Sequence, residues 1–202
     1  MKSGALPNGE PSATGFYSKA DWLRAALTTL RERGIQGLKL RVLTEKLNVT
    51  TGSFYWHFRS WPEMLDELLG FWEQESTQST IDLIGKLDGG PEERIRALAR
   101  AAVTDNLDEY DMAIENWGFS SPKVAETHAR VYSARQQFTE KLFRETGLPP
   151  GEARSRAAIF SAYLRGEYAV MAKRGWSLKQ RLACLDRQLG FILAGIPEKP
   201  RK

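Results

Sequence analysis

Two of the residue types that build metal sites and nucleophilic centres are scarce in this chain. In 202 residues there is one cysteine, Cys184, and two histidines, His57 and His128. A lone cysteine cannot close an intramolecular disulfide, so the chain suits a reducing compartment, and the cytoplasm is the expected location. The two histidines fall on different predicted elements, and no Cys, His and carboxylate cluster has metal-ligand spacing. Neither a metal nor a cofactor is expected. No apolar run approaches the roughly 18 residues of a membrane span, and the N-terminus lacks a signal-peptide core. A Gly-rich phosphate loop, a G-x-S-x-G elbow and a paired Cys/His arrangement are absent as well. The chain therefore reads as a non-enzyme, the alternative being an all-helical enzyme with dispersed carboxylates. Alternating β-branched strand patterns are also missing, which leaves an all-α fold of about nine helices.

The stretch Leu40 to Phe58, LRVLTEKLNVTTGSFYWHF, organises the rest. Leu40, Leu43 and Leu47 recur at spacings of three and four and share one helical face. Asn48 stands where the chain must reverse, and Asn tolerates the left-handed conformation that ends a helix. Val49 fills the corner, and Thr50 is placed to cap the next helix with its hydroxyl. Phe54 and Phe58, four apart, point inward and leave Thr51, Ser53, Tyr55 and His57 facing out. Two short helices with so tight a turn describe a helix-turn-helix, whose second helix enters the DNA major groove. A polar helical hairpin also occurs as an ordinary corner of an all-helical domain, and periodicity alone does not separate the two.

The residues themselves add to this. Gly34 to Leu65, above all Lys46-Leu47-x-Val49 and Phe54-Tyr55-Trp56-His57-Phe58, resembles the DNA-binding domain of the tetracycline-repressor (TetR) family of transcriptional regulators. With the preceding helix the resemblance covers roughly residues 17 to 78. It implies DNA contacts from Arg41 on the first helix of the motif and from Thr51, Gly52 and Ser53 at the start of the recognition helix. It further implies phosphate contacts from Thr50, Tyr55 and His57, with Trp56 against sugar or a thymine methyl. Two positions depart from the family pattern. Trp61 stands where a phosphate-holding Lys is common, which leaves only an indole N–H to donate, and Lys39 replaces a common Thr cap.

Charge follows the motif. Residues 17 to 62 hold eight Lys or Arg against three acids, a balance of +5, while the whole chain carries +4. Basic surface confined to one segment is the footprint of phosphate-backbone binding.

Around the motif, residues 1–16, rich in Gly, Pro and Ser, read as a disordered arm. A first helix opens at Ser18 with Asp21 as its capping partner and stops at Gly34, its stripe being Ala20, Leu23, Ala26, Leu27 and Leu30. The head spans 17–62. Ser60-Trp-Pro-Glu63 opens a connecting helix over about 61–78. Residues 63–197 form a helical body for effector binding and dimerisation, and 198–202 a tail.

In that body, Phe160, Leu164 and Tyr168 lie on one stripe of a helix over 152–173. Ile159, Ala162, Tyr163, Gly166 and Val170 lie on a second stripe, and a helix apolar on two faces needs two partners. Leu178, Leu182, Leu185, Leu189 and Ile192 form a narrow seam on the last helix. The family resemblance implies a homodimer through these last two long helices, and the residues of the first stripe and the seam are its expected interface. It also implies a small-molecule effector held among Phe71, Trp72, Glu75, Asn106, Tyr110, Trp117, His128, Phe138 and Tyr163. The expected function is a dimeric, operator-binding regulator, a repressor released by a mostly apolar or aromatic effector. The alternative is an effector-independent regulator or DNA-organising protein.

Overall fold

The computed structural model describes residues 17–196, and every regular element among them is helical. The expected arm, and the tail over 198–202, lie outside the described residues.

α1 (Lys19–Gly37) begins as its sequence dictates. Ser18 Oγ accepts from the Asp21 N–H at 3.3 Å, and the Asp21 carboxylate accepts from the Ser18 N–H at 2.8 Å, a reciprocal capping box. Burial pushes the Asp21 carboxyl upward, but the Ser18 hydrogen bonds and the Arg24 charge outweigh it and hold it below its usual value. The helix does not stop at Gly34. Gly34 takes φ 65° and ψ 179°, the helix kinks there, and the chain resumes to Gly37 before Leu38 ends it. Only glycine takes such a positive φ at little steric cost, so it marks a kink as readily as an end.

α2 (Leu40–Leu47), α3 (Thr51–Tyr55) and α4 (Trp61–Glu73) follow. A π-helical turn, Gln74–Gln78, then leads into α5 (Ser79–Gly85), so the connecting helix is interrupted where a continuous rod was expected. α6 (Pro91–Thr104) ends before the left-handed Asn106, at φ 50°. α7 (Asp111–Gly118), α8 (Pro122–Glu145), α9 (Pro150–Glu167) and α10 (Leu178–Ile192) complete the chain. A second π turn, Tyr168–Ala172, extends α9.

The chain divides into two compact units. The first holds residues 17–76 and 109–130, thus α1 to α4, α7 and the start of α8. There α1 packs on α2, α4 and α7. That is why it buries Trp22, Ala25 and Thr29 in addition to Leu23, Ala26, Leu27 and Leu30 of the expected stripe. Ala20 is only half-buried.

The second unit holds residues 77–108 and 131–196. Its core joins Ile95, Ala99 and Val103 of α6 to Leu142, Phe143, Ala157, Phe160, Leu185 and Leu189. One buried ion pair runs through it. Arg181 Nε donates to Glu167 Oε1 at 2.5 Å and Nη2 to Oε2 at 2.8 Å, while Nη1 donates to Asn106 Oδ1 at 2.8 Å. A fork-to-fork pair whose third guanidinium nitrogen is also hydrogen-bonded is the arrangement in which a buried charge is tolerated.

Candidate nucleic-acid interface

The reversal between α2 and α3 is built as the residues dictate. Asn48 is left-handed, φ 53° and ψ 49°, and its N–H donates to Glu45 and Thr44 carbonyls. The Val49 N–H returns to the Thr44 carbonyl at 3.0 Å, closing the corner. Leu43 and Leu47 of α2 are buried together with Phe54 and Phe58, whose rings lie 5.1 Å apart, and Trp22 meets Phe54 edge-on at 5.7 Å. This aromatic floor fixes the roll of α3. Thr51, Gly52, Tyr55 and Trp56 are exposed, Trp56 at 88 %, with Ser53 and His57 half-buried at the rim.

Thr50 corrects one expectation. It has the extended backbone of an N-cap, and its carbonyl accepts from the Ser53 N–H at 3.0 Å, but its side chain makes no capping bond. The hydroxyl instead faces Ser53 Oγ at 3.3 Å, so this pair stands at the outward edge of the helix start. Lys39 caps α2 by backbone geometry alone. The second capping box is also shifted. Ser60 Oγ accepts from the Glu63 N–H at 3.3 Å, but the Glu63 carboxylate reaches back to the Arg59 N–H at 2.7 Å, one residue early. Trp61 packs its ring 6.1 Å from Phe54 and is half-buried.

The basic surface is weaker than the sequence count implies. Five of the eight cations are paired: Lys19 with Glu67, Arg24 with Asp21, Arg31 with Glu109, Arg41 with Glu45 and Lys46 with Glu32. Glu67 and Glu109 lie outside residues 17–62, so no count over that segment includes them. An exposed pair such as Arg41 with Glu45 is worth roughly 0–1 kcal/mol, and a DNA phosphate can replace the carboxylate at little cost.

The nine residues expected to line an effector site are divided between the units. Phe71, Trp72, Glu75, Tyr110, Trp117 and His128 belong to the first, and Asn106, Phe138 and Tyr163 to the second. Trp72 is fully buried, donates its indole N–H to Asp111 at 3.1 Å and stacks on His128, ring centres 6.0 Å apart. Asp111, which the sequence reading passed over, is the buried polar partner of that tryptophan. Tyr110 and Trp117 are buried as well, and Arg31 lies over the Tyr110 ring. In the second unit the Tyr163 hydroxyl is buried, and burial, with the neighbouring Cys184 thiol, pushes its proton affinity up.

The residues expected at a dimer seam are divided between core and surface. Phe160, Leu185 and Leu189 lie in the core of their own unit, and Leu164, Leu182 and Ile192 pack against that core. Tyr168 sits in the π turn, half-buried, and Leu178 is exposed. A heptad-like seam fits any helical partner, and here that partner is α6 and α9 of the same chain. Exposed apolar side chains on these elements include Ile159 on α9, Val170 in its π turn, Trp176 just before α10, and Leu178 and Phe191 on α10.

A family model described as bacterial regulatory proteins, tetR family, matches residues 23–68. The tetracycline repressor protein class A from transposon 1721 of Escherichia coli is 48 % identical over 46 residues, 23 % of this chain. The aligned stretch spans only 21 % of that relative. Among solved structures, a transcriptional regulator from Rhodococcus sp. Rha1 has a TM-score of 0.69 at 20 % identity, over 91 % of this chain and all of the other. The TetR-family regulator CifR, complexed with 26-base-pair operator DNA, has a TM-score of 0.66 at 21 % identity, over 89 % of this chain and 98 % of the other. At such identities these likenesses concern the all-helical fold.

Proposed function

We propose that this chain, whose residues 23–68 match the family model of tetR-family bacterial regulatory proteins, is a sequence-specific, DNA-binding transcriptional regulator. The observation that carries the reading is the division of α3. Phe54 is locked into the head while Thr51, Gly52, Tyr55 and Trp56 are presented outward. Thr51 and Ser53 read base edges in the major groove, and Arg41 grips a base or phosphate from α2. Tyr55, His57, Thr50 and the Trp61 indole hold the backbone, and Trp56 packs on sugar or a thymine methyl.

A head this small specifies few base pairs, and a homodimer on a near-palindromic site doubles them. The dimer face in this proposal is the second apolar stripe of α9, Ile159, Ala162, Gly166 and Val170, with Phe191 of α10. Ile159, Ala162, Val170 and Phe191 are exposed and Gly166 is half-buried, and this surface needs a cover that the chain's own core does not supply.

Regulation is repression relieved by a small, mostly apolar or aromatic effector, supported by the buried Trp72, Trp117 and Tyr110 of the first unit. Such an effector weakens DNA binding only by its own preference for the released state. The test is a gel shift with DNA flanking the gene, repeated with a panel of aromatic and hydrophobic compounds. The expected result is a sharp complex that one compound class dissolves. A complex that no compound dissolves would leave effector-independent DNA binding as the function.

A further inference from the structure

Beside α3 lies an open slot of about 610 Å³. Trp22, Val49 and Trp56 give it an apolar lining, Thr50, Ser53 and His57 add polar groups, and Tyr17, the residue just ahead of the α1 cap, lines it as well. The polar groups are positioned. The Thr50 and Ser53 hydroxyls face each other at 3.3 Å, and the His57 ring is held 6.4 Å from Trp22.

No Asp, Glu, Lys or Arg side chain lines the slot. It is thus an apolar bed that offers hydroxyl, phenol and imidazole groups. A deoxyribose–phosphate unit has the complementary chemistry, an apolar sugar face beside anionic oxygens that accept hydrogen bonds.

We propose that the slot seats one sugar–phosphate unit of the DNA backbone and that Tyr17 is a further DNA-binding residue, donating its phenol O–H to the phosphate. The inference rests on the DNA-binding reading and names a contact that the helix-turn-helix motif itself does not contain. Tyr17 clamps the backbone from outside the motif while α3 reads the bases, so it sets affinity and not sequence choice. Because the donor is neutral it displaces no condensed counterion, and its contribution does not change with salt as that of a lysine or arginine does.

The test uses the full-length protein and a fluorescent duplex selected by the wild type from a randomised pool, with a scrambled duplex beside it. Binding is followed by anisotropy across a salt series. Tyr17→Phe keeps the ring wall, and its melting midpoint checks that the fold is retained. The expected result is a similar loss on both duplexes, on the order of tenfold for one hydrogen bond to a charged group. The slope of log affinity against log salt stays that of the wild type. Tyr17→Ala, which also removes the wall, loses more, again on both duplexes.

Wild-type affinity in Tyr17→Phe would overturn the assignment, and so would a loss confined to the selected duplex. A slope reduced by about one would mean that a cation is the real contact. Failure of the wild type to prefer its selected duplex would instead defeat the DNA-binding reading, and the slot with it.

Discussion

Gly52 lies in the first turn of α3, where a side chain is affordable. A methyl group there would meet only Thr50 Oγ1, at 3.6 Å, an ordinary contact. Glycine in a helix is about 1 kcal/mol less favourable than alanine, so nothing inside the chain explains its use. Close approach of an outside body does. Gly52→Ala should therefore raise the unfolding free energy by up to about 1 kcal/mol while weakening binding to the selected duplex at least several-fold. Chemical denaturation and anisotropy on the same sample check the two signs, and a variant that gains stability yet binds as before would remove the close approach. Glu45 acts at the same scale. Its carboxylate lies 3.4 Å from Arg41 Nε, so Glu45→Gln should free that guanidinium, raise DNA affinity and steepen the salt dependence. Unchanged affinity in a low-salt titration would show that Arg41 stays off the DNA.

Among the elements, α2, the turn and α3 were legible because each carries a short-range signal: a leucine period, an asparagine at the reversal, two phenylalanines four apart. The interruptions were not. Gly34 reads the same whether it ends α1 or kinks it, since both need a positive φ. The π turn at Gln74–Gln78 follows an unbroken helical pattern that gives no hint of it. The seam on α10 has the right period but no address, because burial by α6 and α9 and burial by a second subunit make the same pattern. The pairing of Glu167 with Arg181 was equally hidden, fourteen residues apart across a turn. It gives α9 and α10 a polar lock: Glu167→Gln leaves a buried guanidinium without its countercharge and should cost about 3–5 kcal/mol. Replacing both by apolar residues, Glu167→Leu with Arg181→Met, should cost much less than the single change. Urea midpoints of the three proteins decide it, and equal losses in single and double variants would mean that the pair adds only shape.

At the scale of the whole molecule, the account needs two heads on one operator. Ile159, 58 % exposed, and Phe191, 78 % exposed, are among the apolar side chains that the core of the second unit leaves uncovered. Ile159→Asp with Phe191→Asp should leave the fold intact, because neither side chain is buried, and should turn a dimer into a monomer by sedimentation velocity. An unchanged sedimentation coefficient would move the interface elsewhere. The composition announced the class of fold, and the head carried the family resemblance, but which apolar stripe faced outward depended on packing that no single helix reveals. The measurement that bears most directly on the central claim is selection from a randomised duplex pool by the wild-type protein, followed by titration of single base-pair variants against wild type and Ser53→Ala. Recognition through α3 predicts a near-palindromic consensus, with Ser53→Ala relaxing discrimination by about 1–3 kcal/mol at one position in each half-site and nowhere else. A pool that returns no consensus, or a consensus read identically by Ser53→Ala and Thr51→Ala, would contradict it.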